Sequence, residues 1–388
     1  MSLFNQNLNA FGLDLSDRTI KVAQLKKTGE GLKLVGHNRK EIPEGIIKDG
    51  EIKKESKLVE IIQEAISESK LKSISTKFVI YSIPETKGFI RVIELPKTEK
   101  GKITEAIVNE AERSFPTNIK ESYLDWQILP KNLADSANEK TEILVATASK
   151  NLVNSYSEAL KKAGLKPVAA EIESVAIIRS LISEQQSFRP VLIIDLGKDR
   201  TSFIIFKKPA VQFTASIPVC GNEFNKAVAK EFSVSAEEAE KIKLECGLNY
   251  QKRSGRTYKA MLPSLVNLVG YIDKLLNYYQ EHFSSEFHFE IHGDSLKSEH
   301  NLKAAESKSA KVERIDSSIS KVIICGGEAK IPGMTFYLSL QIKKEIERAN
   351  PWINIITSDK GEIPPISRDD SLVFVTVLGL AMRGAGEY

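Results

Sequence analysis

Residues 191–205 read VLIIDLGKDRTSFII. Four apolar residues, Val191 to Ile194, run into Asp195; Gly197 and a polar turn, Lys198 to Arg200, follow; a second apolar run, Ser202 to Phe206, leads away. This pattern predicts two buried strands joined by a tight loop, with a carboxylate at its mouth. At Gly197 a backbone amide can approach a ligand with no Cβ in the way. A carboxylate beside such a loop can hold a hydrated Mg²⁺ over phosphates, because Mg²⁺ prefers oxygen ligands and keeps several waters. Taken alone, the stretch is equally a plain hairpin with a solvated Asp.

A second copy of the pattern, FGLDLSDRTIKVAQL at 11–25, favours the ligand reading. Asp14 is followed by Leu15, a polar turn and the alternating run Ile20, Val22, Leu25. Both segments carry Asp-Leu and then Asp-Arg-Thr; aligned on that triplet, the second loop is one residue longer. Such repetition predicts two related halves, each turning a strand-loop-strand toward one cleft. Opposed loops of this kind resemble the actin-like ATPase superfamily, which includes actin, the heat-shock chaperone ATPases, the sugar kinases and FtsA. The resemblance implies an α/β actin-like fold, with two duplicated RNase H-like halves around a nucleotide cleft and a small inserted subdomain of the 1C type. Ser16 departs from it, since the family usually has Gly there.

Composition sets the bounds. A chain of 388 residues is long enough for two or more domains. Its 41% apolar and 27% charged residues suit a soluble globular protein. A net charge of +4, from well-mixed acids and bases, is too weak to argue for nucleic acid. Three widely spaced cysteines, Cys220, Cys246 and Cys325, suggest a reducing compartment and no disulfide framework. The N-terminal stretch does not read as a signal peptide, and no apolar run approaches the ~18 residues of a membrane span.

Along the chain, residues 11–25 and 31–42 read as strands, 54–69 as a helix and 77–83 as a strand. Residues 85–145 read as an inserted small domain: strand Gly88–Leu95, a helix carrying Ile103, Ile107, Ala111 and Phe115, strand Tyr123–Leu129, a polar turn, and strand Glu142–Ala148. A helix closed by Gly164, the strand Val168–Ile172 and a helix from Glu173 lead back to the central stretch. The second half continues with the strand Ala210–Val219, the helix Glu223–Phe232 and a helix with the capping box Ser235/Glu238. Residues 247–262 read as irregular, Pro263–Phe283 as a long helix, and 284–318 as a surface insertion. Val322–Ile324 and Trp352–Ile356 read as strands, with helices from Gly333 and over Ser371–Arg383. The first half is thus 1–84 and 146–187 with the terminal helix 371–388, and the second half is 188–370.

Several segments in this order resemble the PilM family of type IV pilus assembly proteins over nearly the whole chain. They are SIPETKGFIRVIELP, IVNEAERSFPTNIKESYLDWQIL, EALKKAGLKPVAAEIESVAIIRSL, IPVCGNEFNKAV, SAEEAEKIK and IICGGEAKIPGM. Cys220, where Gly is usual, and the longer stretch 284–318 depart from the pattern. The resemblance implies ATP and Mg²⁺ as ligands and a cytoplasmic scaffold at the inner-membrane face. It also implies a partner, the short cytoplasmic N-terminal peptide of a PilN-like membrane protein, and proximity to the pilus motor ATPases.

Residue roles follow. Asp14 and Asp195 would face each other and position Mg²⁺ through water. Ser16, Thr19, Lys21, Gly197 and Thr201 can contact phosphate oxygens, although Lys21 is as readily a surface lysine. Gly326 and Gly327 would let an adenine lie on backbone. Glu240 and Lys243 share a helix face and, by resemblance, would contact ribose and adenine; otherwise they form a surface pair. Glu173 is the candidate general base, with Glu171 the alternative; a Glu favoured by the helix dipole explains it equally. Phe89, Arg91, Ile107 and Phe115 are candidates for a partner groove on the inserted domain, although Ile107 and Phe115 also suit its core. His288, Glu290 and His292 alternate with apolar residues, but two His four residues apart on a strand stand roughly 13 Å apart, too far for one ion.

Two rivals remain. A small-molecule kinase of the same superfamily needs a substrate-binding insertion larger than 85–145. An FtsA-like filament former needs an amphipathic membrane anchor, and RGAGEY shows none; filaments through actin-like stacking stay open.

Overall fold

The protein is seen in a computed structural model that describes residues 9–29, 31–96, 101–130, 140–183, 189–283, 318–356 and 363–386. Its opening hairpin is β1 (Phe11–Leu15) and β2 (Thr19–Thr28), extended by β3 (Gly31–Glu41). Every residue of β1 is buried, as in strands covered on both faces. A two-strand ribbon, β4 (Ile47–Lys48) and β5 (Glu51–Ile52), precedes α1 (Glu55–Ser67). Leu58, Ile62 and Ala65 make one buried stripe on α1. Then come β6 (Lys70–Leu71) at the sheet edge and β7 (Phe78–Ile83), parallel to β1.

The chain next leaves for a separate three-stranded sheet. It consists of β8 (Gly88–Leu95), β9 (Ser122–Ile128) and β10 (Thr141–Ser149), in the order β8-β10-β9, backed by α2 (Ile103–Ser114). Its own small core holds Ile93, Leu95, Ile107, Ala111, Phe115, Ile143 and Val145. The return runs through α3 (Lys150–Lys162), β11 (Lys166–Ile172) and α4 (Glu173–Leu181).

A second large sheet follows. It is built from β12 (Val191–Leu196), β13 (Thr201–Lys207), β14 (Ala210–Ile217), β15 (Lys321–Cys325) and β16 (Ile346–Arg348). Around it lie α5 (Gly221–Phe232), α6 (Ala236–Cys246), α7 (Arg256–Phe283), α8 (Met334–Ile342) and the short α9 (Arg368–Ser371), and α10 (Val375–Gly384) then crosses back to the first half. The repeat seen in the sequence is visible in the topology. One sheet runs β11-β7-β1-β2-β3, with β6 added, and the other β16-β15-β12-β13-β14. In each, a central strand pairs antiparallel with its successor and parallel with a later strand.

Although late in sequence, α10 packs on the first sheet and on α4, and the approach is so close that only glycine fits. A Cβ on Gly379 would run into the Ala176 carbonyl, one on Gly384 into the Ala10 carbonyl, and one on Gly12 into the Val377 carbonyl.

Three expectations need correction. The two loops are equal in length: Leu15 pairs with Ile20 and Leu196 with Thr201. The Asp-Arg-Thr triplets are therefore offset by one, and Arg200, not Thr201, matches Thr19. The long helix starts at Arg256 rather than Pro263, because Met261, Leu265, Leu268, Ile272, Leu275 and Tyr279 form one continuous buried stripe across the proline. Trp352–Ile356 is a turn that buries Trp352 and Ile355, and the edge strand is β16. Residues 284–317, with His288, Glu290 and His292, and most of the turn at 131–141 lie outside the described residues.

Candidate functional site

Asp14 and Asp195 end the two central strands and both line a single cleft between the halves. Each has a polar or thiol side chain beside it at the same position of the neighbouring parallel strand. The Ser82 hydroxyl of β7 donates to Asp14 Oδ1 (2.8 Å) and accepts from the Leu15 amide (3.1 Å). In the second half Cys325 stands opposite Asp195 on β15, where its thiol acts on the Asp195 carboxyl against the effect of burial. Neither partner was foreseen from the sequence; each is the residue beside an aspartate only once parallel pairing is known. Lys21 Nζ lies 2.8 Å from Asp14 Oδ2, so Lys21 serves the cleft rather than bulk solvent. Burial pushes the Asp195 carboxyl up, and nearby Asp14 adds to this against the pull of Lys21.

The loops close alike. The Ser16 amide donates to Thr19 O (2.9 Å) and the Gly197 amide to Arg200 O (3.0 Å). Ser16 Oγ and Thr19 Oγ1 are 3.1 Å apart and both side chains line the cleft. Thr201 does not: its hydroxyl donates to Val219 O (2.6 Å) in the interior. Its place at the cleft is taken by Arg200, an unforeseen consequence of the loop offset. Gly326 and Gly327 also line the cleft, and a Cβ on Gly326 (φ +85°) would run into Asp195 Oδ1 and Leu196 O.

On α6, Glu240 lines the cleft and Leu244 joins it one turn later. Lys198 at 3.2 Å more than offsets the effect of burial and holds the Glu240 carboxyl below its usual range. Lys243 is turned inward and fully buried against Glu328 at 2.6 Å, which removes it from the expected ribose and adenine contacts. The i,i+3 spacing placed both residues on one helix face, but that face is wide enough for one to meet the core.

Glu173 lines the cleft; Glu171 does not. Both Glu171 oxygens are taken, by Arg179 (2.5 Å) and Arg383 (2.6 Å), and these guanidiniums overcome burial to lower its pKa. The alternative base is therefore locked in a structural ion cluster. Glu173 is raised to about 7, by burial first, with Arg200 opposing and Asp14 and Glu85 adding. Its oxygens face Arg200 Nη2 (3.3 Å) and the Glu85 amide (3.0 Å).

The donor set suits a hydrated Mg²⁺ rather than a stripped one. Both Asp14 oxygens already accept hydrogen bonds, so the two aspartates fit an ion held through its own water. Among the described residues, no cluster of three or more His, Cys, Asp or Glu could hold a metal by itself, and no helix is long and apolar enough to cross a membrane.

Two residues of the expected partner wall, Ile107 and Phe115, belong to the core instead. Ile107 is fully buried and Phe115 nearly so, both inside the small core, because α2 needs that face to cover its own sheet. Phe89 is partly buried against the same core, and Arg91 donates from the surface to Ser114 O (3.1 Å). A different groove opens between β9–β10 and the first half, lined by Ile90, Leu144, Ala146 and Val175, with Arg179 and Arg383 among its walls. β9 is an edge strand of its sheet.

Residues 12–281 match a family model described as type IV pilus assembly protein PilM. Among curated relatives, cell division protein FtsA of Bacillus subtilis is 21% identical over 269 residues, covering 63% of this chain and 60% of that protein. FtsA of Pseudomonas aeruginosa is 24% identical over 126 residues, covering 32% and 30%. The chain thus spans less than two thirds of the curated relatives it matches. Among solved structures, a PilM-PilN type IV pilus biogenesis complex has TM-score 0.76 at 23% identity, covering 98% of this chain and 99% of that one. MreB5 of Spiroplasma citri bound to AMPPNP has TM-score 0.51 at 13% identity, covering 95% and 93%.

Proposed function

This chain belongs to the type IV pilus assembly protein PilM family and has the actin-like ATPase fold, and from that premise we propose that it is an ATP-binding scaffold of the pilus assembly complex at the cytoplasmic face of the inner membrane. The observation that carries the nucleotide reading is the pair of repeated strand ends, Asp14 and Asp195, facing one cleft with Gly326 closed against Asp195. Asp14 and Asp195 would hold Mg²⁺ through water, and the ion would screen the phosphate charge. Ser16, Thr19, Lys21 and Gly197 would meet the phosphates. Glu240, Leu244, Gly326 and Gly327 would meet the nucleoside. A carboxyl near neutrality, as at Glu173, can accept a proton from water near pH 7.

Calorimetry with ATP and Mg²⁺ tests this directly. Binding by the unmutated protein is expected, with a loss of about tenfold or more for Asp195→Ala, on the scale of one lost charge-assisted interaction. No heat and no thermal shift for the unmutated protein would sink the nucleotide assignment.

The partner is proposed to be the cytoplasmic tail of a PilN-like membrane protein, lying extended along β9. A disordered tail must gain enough contact to offset its ordering. Backbone pairing at a free strand edge, with apolar side chains set against Leu144, Ala146 and Val175, supplies it. Glu171 bears one negative charge against Arg179 and Arg383. The groove therefore carries a net positive end, suited to a carbonyl or acidic group. Ala146→Trp fills the groove from its wall and is expected to cost the tail peptide at least about tenfold in affinity while leaving MgATP binding intact. An unchanged peptide affinity in fluorescence anisotropy would place the tail elsewhere.

A further inference from the structure

Arg18 and Asp199 occupy matching positions on the two equal loops, and they meet across the cleft. Arg18 Nε lies 3.5 Å from Asp199 Oδ1, and Arg18 Nη2 lies 3.2 Å from Glu44 Oε2. A second pair crosses in the opposite sense, Arg200 to Glu173 at 3.3 Å. Each loop therefore sends one guanidinium to a carboxylate of the other half.

The two crossings differ in character. Arg200 is deeply placed, with Glu173, Asp17 and Asp195 all acting on it. Arg18 and Asp199 have side chains 26% and 28% exposed. Their separation exceeds the roughly 2.7–2.9 Å of a good charge-assisted hydrogen bond, and a solvent-screened pair of this kind exchanges easily. Asp199 also accepts from Asn222 Nδ2 at 2.6 Å, so it keeps a partner when Arg18 leaves. A phosphate offers the guanidinium fork a bidentate, more highly charged acceptor than Asp199 does. Arg18 lines the cleft together with Ser16, Thr19 and Gly197, the loop residues proposed to meet the phosphates.

We infer that Arg18 is the residue by which the cleft tells a nucleoside triphosphate from a diphosphate: it exchanges Asp199 for the terminal phosphate and stays on Asp199 when that phosphate is missing. The inference rests on the nucleotide reading of the same cleft. Asp199 then acts as the competitor that sets the threshold of the exchange.

Calorimetry with MgATP and with MgADP, on the unmutated protein, Arg18→Met and Asp199→Asn, tests it, with thermal melting as a check on folding. Arg18→Met is expected to weaken ATP about tenfold and ADP less than about twofold. Asp199→Asn is expected to tighten ATP several-fold and leave ADP unchanged. Equal weakening of both nucleotides by Arg18→Met, or no weakening, overturns the inference, as does a loss of ATP affinity in Asp199→Asn. Should Arg18→Met fail to fold, Asp199→Asn decides alone, a gain for ATP supporting the inference and no gain overturning it. Failure of the unmutated protein to bind either nucleotide removes the nucleotide reading itself, and this inference with it.

Discussion

Glu328→Ala is expected to lower the free energy of unfolding by about 3–5 kcal/mol, the usual cost of stranding one member of a buried ion pair. Lys243 is fully enclosed and its ammonium lies 2.6 Å from Glu328 Oε2, whose side chain is 7% exposed. The pair joins α6 to the loop after β15, and the start of α5 packs on it so closely that a Cβ on Gly221 would overlap Glu328. With the carboxylate gone, the ammonium is left fully buried without its ion-pair partner. Lys243→Met should cost less. Burial already holds the Glu328 carboxyl above its usual range, so it can take up a proton when left alone. Lys243→Met with Glu328→Leu should recover most of the loss, because an apolar pair of similar volume removes both charges. Urea unfolding of the three variants at neutral pH measures this; a loss below about 1 kcal/mol for Glu328→Ala would show that the pair is solvated in solution.

Glu173→Gln should make the protein more stable at alkaline pH, by up to about 3 kcal/mol. The Glu173 carboxyl is raised from 4.5 to about 7 in the fold. The native state therefore favours the protonated form more than the unfolded chain does. That contribution is fully present below about pH 4.5 and is lost as pH rises to about 7. Gln mimics the neutral acid and removes the pH dependence, while the loss of the Arg200 ion pair reduces the net gain. Denaturation at pH 5 and pH 8 should thus show the difference between variant and unmutated protein growing with pH. A difference that stays constant would mean that Glu173 titrates normally.

The sheets were legible because VLIID and FGLD are apolar runs ending in a carboxylate, and the repeat of that grammar implied two halves and one cleft. What failed to show has specific causes. Asp-Arg-Thr occurs in both loops, but hydrogen-bond register, not identity, sets equivalence, so Thr201 was expected where Arg200 stands. Helical spacing put Glu240 and Lys243 on one face without telling how much of it is covered. Ser82 and Cys325 come beside the aspartates through parallel pairing between distant strands, which local pattern does not encode. Ile107 and Phe115 satisfied both a groove and a core, and a small sheet with a single helix needs them for the core.

The fit of α10 against Gly12, Ala10 and Ala176 bears on the order in which the molecule is made. The first sheet and α4 are synthesised early, yet one of their covering layers is residues 375–384. At roughly 5–20 residues per second, the ribosome needs on the order of 10–40 s between finishing α4 and delivering that helix. Through that interval the second sheet can assemble as a continuous stretch, while the first waits with the seat for α10 bare of its final occupant. The core of the second sheet takes in Leu372 and Val375 as well, so both halves, and the cleft lined by Leu372, Val373, Val375 and Thr376, reach their final packing only once this segment is delivered.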